Sequence, residues 1–232
     1  MSKIQKTKYG WIVKDICDPA NQFNCNSCWA IATCQCVSDR LRSSGIIPPN
    51  DELNYYLFHD FIVANSHGRD SCERGAEIML GMEEMERLGA PLLSLSKDRT
   101  FDERYSSKEM NQYKYKVKSW RKIQGPSLSS TVNAIKKELR EGGTLITTIN
   151  IYGSFMDHVG SSIYEVPNYE KADPNMVHMV SIVGYDDNDG TFIIRNSYGK
   201  EYGHYGLVKV RQYDTRLDLD LNCFAPILLS SY

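Results

Sequence analysis

The apolar pattern of this chain changes period about halfway along, and that change limits the fold more than any other feature. From Ser27 to about Leu41 the positions Trp29, Ala32, Val37 and Leu41, with small residues and cysteines between them, predict a buried helix opened by a Ser/Asn-rich turn. Residues 52–64 and 75–88 predict two more helices, the second stopped by Gly89 and Pro91. The polar stretch 94–112 reads as a loop, and a helix is expected over 129–141. β-type runs then start at residues 144, 178, 190 and 206. The expectation is an α+β unit spanning 1–232, with a helical lobe at about 21–112. A β-rich lobe takes about 113–232 plus the N-terminal segment 1–20. A functional site would lie at the seam.

Partners follow from charge. The formal net charge is only -2, with 41% hydrophobic and 24% charged residues and a mean hydropathy of -0.43. A polyanion binder carries a strongly basic surface, so nucleic acid and anionic membranes are not expected, and peptides or proteins are. Lys114, Lys116 and Lys118 alternate with Tyr113, Tyr115 and Val117, the pattern of a charged, protected edge strand. No run approaches the roughly 18 apolar residues of a membrane span, and residues 1–20 lack a signal-peptide layout. Seven cysteines, an odd number, and no Asn-x-Ser/Thr site lean away from a closed secretory disulfide framework. The compartment stays unassigned, and a monomer is expected.

The chemistry concentrates in three separated segments. Gln22-Phe23-Asn24-Cys25-Asn26-Ser27-Cys28-Trp29-Ala30 places a cysteine at a helix N-terminus, where its thiolate is favoured. Far downstream come His178-Met179-Val180-Ser181-Ile182-Val183-Gly184-Tyr185 and Ile193-Ile194-Arg195-Asn196-Ser197-Tyr198-Gly199, followed by Tyr202 to Val210. In order, spacing and flanking strands these segments resemble the active-site Cys, His and Asn segments of papain and the cathepsins.

The resemblance implies a papain-like two-lobe fold, with a helical left lobe, a β-barrel-like right lobe and the site in the cleft between them. It implies a cysteine endopeptidase: Cys28 as nucleophile, His178 as base, Asn196 orienting the imidazole and Gln22 in the oxyanion hole. Tyr198 and Trp29 would support these residues. Gly75, Asn26, Val177 and Leu228 would contact substrate. Cys25 and Cys72 occupy positions that are bridged in the family, while Cys34 and Cys36 read as buried filler and Cys17 and Cys223 have no assigned partner. His59, His67, His158 and His204 read as structural or solvated. No metal and no cofactor are expected.

Three departures from the family bear on the cleft. Asn26 and Phe23 stand where the family has glycine, adding bulk on the S1 side, and Tyr198 stands where it has the tryptophan that covers the Asn-His bond. Only 27 residues precede Cys28, so a propeptide was either removed or never made. Ser38-Asp39-Arg40 faintly resembles the cathepsin B branch, yet residues 73–157 contain neither His nor Cys, so that branch's His-bearing loop is missing. An open primed side and endopeptidase action are expected, with Leu228 giving an apolar S2 floor.

Overall fold

The computed structural model describes residues 3–55, 75–95, 114–173 and 176–230. Its backbone is a nine-stranded sheet with helices packed on it. The strands are β1 (Ile4–Thr7), β2 (Gly10–Val13), β5 (Val117–Lys122), β6 (Leu145–Asn150), β7 (Ile163–Tyr164), β8 (Val177–Asp186), β9 (Thr191–Arg195), β10 (Leu207–Arg211) and β11 (Phe224–Leu228). Their order is β5-β11-β6-β8-β9-β10-β7, with the β1–β2 hairpin branching from β8. Two further short strands, β3 (Ala90–Pro91) and β4 (Lys114–Tyr115), pair separately.

The expected barrel-like lobe is therefore an open sheet with no closed barrel among the described residues. Its terminal strands β5 and β7 do not pair with each other, and β7 has only two residues, too short a ladder to close a ring. Strand β8 organises the rest. Its first half pairs with β6, and near its end Gly184 lies against Ile12 of β2. A Cβ at Gly184 would fall 2.2 Å from the Trp11 carbonyl oxygen, so this crossing requires glycine.

Helix α1 (Cys28–Ser43) is covered almost all round, with thirteen residues from Trp29 to Leu41 buried. It packs against α2 (Ile78–Arg87) on one side and β6, β8 and β11 on the other. Helix α3 (Leu128–Glu141) starts on a reciprocal Ser127/Ser130 capping box and buries Thr131, Val132, Ile135, Glu138 and Leu139, one face at helical spacing. A short helix α4 (Gly153–Met156) follows β6. Two main apolar cores result. One joins α3 to the sheet around Ile149, Phe155, Phe192 and Ile194; the other surrounds α1 with Leu53, Met82, Met85 and Val117.

Several expectations shift. The helix expected over 52–64 does not begin at 52, because Leu53 forms a bridge with Leu92 instead; residues 56–64 lie outside the described residues. The helix expected over 75–88 begins at Ile78, since Gly75 at φ 67 and the extended Glu77 are not helical. Most of the expected loop, with Tyr113, His59, His67 and Cys72, also lies outside the described residues. The alternating stretch read as one edge strand is divided: Lys114 and Tyr115 form β4, while Val117 and Lys118 open β5, an end strand of the large sheet.

Candidate active site

Cys28 is the first residue of α1, and Ser27, its N-cap, makes no side-chain cap bond. The Ala30 and Ile31 N–H groups donate to the Ser27 carbonyl, and the Trp29 N–H donates to the Cys28 sulfur, at the helix end where a thiolate is favoured. Opposite stands His178, at the second position of β8. The antiparallel register of β8 and β9 pairs Ser181 with Arg195, so the residues just after β9 return alongside the start of β8. That register brings His178 Nε2 and Asn196 Oδ1 to 2.7 Å. Oδ1 also accepts the Ser197 N–H at 2.7 Å, which fixes the amide's orientation.

Charge and hydrogen bonding couple the pair. Burial alone would push the Cys28 thiol up, but the His178 charge, a hydrogen bond with His178 and backbone bonds from Met179 and Trp29 outweigh it and hold the thiol below its ordinary value. Burial likewise disfavours the imidazolium, yet the Cys28 charge, the Cys28 hydrogen bond and the Asn196 hydrogen bond raise His178 above the usual imidazole value. The two opposite shifts share one cause, since the charged form of each group favours the charged form of the other.

Gln22 reaches the site through the chain's N-terminal segment. Its N–H donates to the Ser197 carbonyl at 2.8 Å, Gly199 N–H donates to Ala20, and Asn21 bridges Tyr198. The Gln22 side chain is held at both ends: Nε2 donates to the Cys25 carbonyl at 2.9 Å, and Oε1 accepts from the Ser197 hydroxyl. An amide nitrogen has two N–H groups, and one is spent on Cys25.

The other expected residues distribute unevenly. Trp29 is wholly buried beneath the helix start. Tyr198 stacks on His178. Gly75 lies against the loop that precedes Cys28, where an added Cβ would sit 3.3 Å from the Asn26 Cβ and carbonyl oxygen. Val177 is 61% exposed beside His178, and Leu228 is half-buried in the apolar cluster that also holds Cys28, Ala76, Ile78 and Met179. Cys25 is disulfide-bonded, and its expected partner Cys72 lies outside the described residues. Cys17, Cys28, Cys34, Cys36 and Cys223 are free, all but Cys28 buried. His204 stacks on Tyr9, and His158 sits edge-on to Tyr164 and Tyr202. Among the described residues no three His, Cys, Asp or Glu side chains converge as a metal ion would need, and no helix is long and apolar enough to cross a membrane.

The sequence reading missed the anchors beneath the site. Arg195, the residue before Asn196, is fully buried and forms a two-pronged pair with Asp39 of α1 at 2.9 and 3.1 Å. Arg40 of α1 donates to the Thr144 carbonyl at 2.8 Å and pairs with Glu138 of α3 at 2.8 Å. Asp39 thus ties α1, through Arg195, to the strand that leads to Asn196, while Arg40 ties the same helix to α3 and to the start of β6. Two adjacent charges within the stretch expected to be a buried helix were the available signal, since buried charges require partners.

Comparison with known proteins bears on the family and the fold. Residues 6–226 match the family described as papain family cysteine protease. Cathepsin B-like cysteine proteinase 1 of Ostertagia ostertagi is 26% identical over 87 residues, covering 37% of this chain and 24% of that protein, so the chain spans about a quarter of the length of this curated relative. In fold, the chain is similar to procathepsin B S9 from Trypanosoma congolense (TM-score 0.72, 16% identity, 93% of this chain and 73% of that one). It is also similar to digestive procathepsin L 3 of the Tenebrio molitor larval midgut (0.71, 17%, 92% and 67%). Xylellain, a cysteine protease from Xylella fastidiosa, gives 0.69 at 20% identity, with 92% and 83% covered.

Proposed function

The chain belongs to the papain family of cysteine proteases, and from that premise we propose that it is a cysteine endopeptidase acting as a monomer on peptides and proteins. The observation that carries the reading is the alignment of Cys28, His178 and Asn196, with the 2.7 Å His178–Asn196 bond and opposite shifts of thiol and imidazole.

In this mechanism the Cys28 thiolate attacks the scissile carbonyl carbon, and the oxygen takes up the negative charge. The Cys28 backbone N–H and the second Gln22 Nε2–H receive that oxyanion, and loss of one such donor costs on the order of 10²-fold or more. His178 gives its proton to the leaving amine as the C–N bond breaks, leaving a thioester on Cys28. It then takes a proton from water, whose oxygen attacks the thioester and releases the acid, restoring the thiolate–imidazolium pair. Asn196 holds the ring in one orientation throughout.

Substrate would lie extended against Gly75, with Asn26 and Val177 flanking the scissile bond. The half-buried Leu228 and its apolar neighbours support a preference for an apolar P2 side chain, misfits costing about 1–3 kcal/mol. The absence of His and Cys from residues 73–157 supports cleavage within chains rather than trimming of C-termini.

An epoxide inhibitor with a peptide recognition arm tests the site chemistry. Labelling should fall on Cys28 and not on Cys17, Cys34, Cys36 or Cys223, whose thiols are buried and pushed up. Labelling that survives His178→Ala unchanged, or that spares Cys28, would contradict the reading.

A further inference from the structure

A cavity of about 510 Å³ opens beside the dyad, with Tyr198 as one wall. Its other walls include Phe23, Met156 and Val159, which are 75%, 51% and 71% exposed. Bulk at Phe23 therefore faces this cavity, whereas the sequence placed it on the S1 side. Phe23 has φ 48, in the left-handed region that costs a residue with a Cβ roughly 1–2 kcal/mol. A strained backbone holding a large ring in water gains nothing from packing, and such residues concentrate where a ligand is contacted.

The cavity is also electrically one-sided. Asp157 and Glu201 line it, and neither has an ion-pair partner among the described residues. Lys200, next to Glu201, is turned to Asp18 at 2.6 Å. His158 also lines it, and burial, which outweighs its bond with the Ser162 backbone, favours the neutral imidazole there.

The position of this cavity decides which part of a substrate meets it. His178 delivers its proton to the leaving amine, so the segment after the scissile bond must depart across the imidazole. Tyr198 stacks on that imidazole, with ring centroids 4.9 Å apart, and is also one of the cavity's walls. We propose that the cavity takes a cationic side chain, arginine ahead of lysine, from the leaving-group side of the substrate. The proposal rests on the peptidase reading and adds the substrate class to it. A planar guanidinium lies flat on an aromatic ring while its edge donates to carboxylates, a combination the compact ammonium of lysine does not match.

Both carboxylates are screened by water, so the expected preference is moderate, about 5- to 20-fold. Internally quenched peptides carrying arginine, citrulline or glutamate at P1′ or P2′ provide the test. Arginine should exceed citrulline in kcat/KM by that factor, and the ratio should fall in about 0.5 M salt and in the Asp157→Asn/Glu201→Gln double variant. Equal turnover of arginine and citrulline peptides, or a ratio untouched by the double variant, overturns the proposal. If no peptide is cleaved, the peptidase reading fails separately, and calorimetry on the Cys28→Ala protein decides the cavity. Tighter binding of an arginine peptide than its citrulline twin, lost with the two carboxylates, upholds cation recognition; equal binding overturns it.

Discussion

The Tyr198 ring lies nearly flat on the His178 imidazole, the planes 25° from parallel, and Tyr202 meets Tyr198 edge-on at 90°. The stack shields the His178–Asn196 bond from water. The Tyr198 hydroxyl does not displace Asn196 from the imidazole, since that bond is made at 2.7 Å. Burial, with the Cys28 charge, pushes the phenol further above its ordinary value.

The ring and not the hydroxyl should therefore matter. Tyr198→Phe is expected to keep kcat/KM within about twofold, while Tyr198→Ala should lower it by about tenfold through loss of stacking on the imidazolium. Steady-state kinetics on one peptide substrate separates these outcomes, and equal losses in both variants would assign the role to the hydroxyl instead.

The coupled pair fixes the shape of the pH dependence. Cys28 is shifted down and His178 up, so activity should rise as the thiolate forms below the ordinary thiol value of about 8.5. It should fall again as the imidazolium is lost above the ordinary imidazole value of about 6.5. The limbs belong to the pair jointly. Because the Asn196 hydrogen bond raises His178, Asn196→Ala should move the alkaline limb to lower pH, besides slowing turnover on the order of 10²-fold. An alkaline limb that stays in place would show that Asn196 does not hold the imidazolium.

Arg195 and Asp39 are both wholly buried, so removing one leaves a charge without a partner. Asp39→Ala should cost about 3–5 kcal/mol in urea unfolding. The Asp39→Ala/Arg195→Met double variant should cost less than the single one, because no buried charge is left over. Additive losses would indicate that the two side chains are not coupled.

Phe23 offers a test of backbone strain. At φ 48 and 75% exposed, it should be replaceable by glycine with a gain of about 0.5–1 kcal/mol, the relief exceeding the entropy that glycine brings. A lower thermal midpoint for Phe23→Gly would mean that the ring is held by packing after all.

What the sequence disclosed is what short segments encode. The helix at Cys28 and the strands leading from His178 and to Asn196 are nearly continuous buried runs, each with the candidate residue at or beside one end. Relations between segments were harder to read. Ser197 steadies Gln22 across 175 positions and Asp39 meets Arg195 across 156, and nothing local announces either partner. Strands β1, β2 and β7 have four, four and two residues, too few for a periodic signal. β11 carries Pro226, which argues against a strand, yet it pairs with both β5 and β6. The apolar run after residue 52 looked helical from its start, but at Leu53 a bridge to Leu92 prevails.

The most direct measurement is mass spectrometry of the products formed from a mixed peptide library by the wild type and by Cys28→Ala. New termini within the peptides, preceded at P2 by apolar residues, should form with the wild type and be absent with the variant. Internal cleavage by the Cys28→Ala protein, or intact peptides with a wild type that is folded and reduced, would contradict the assignment of Cys28 as the nucleophile of an endopeptidase.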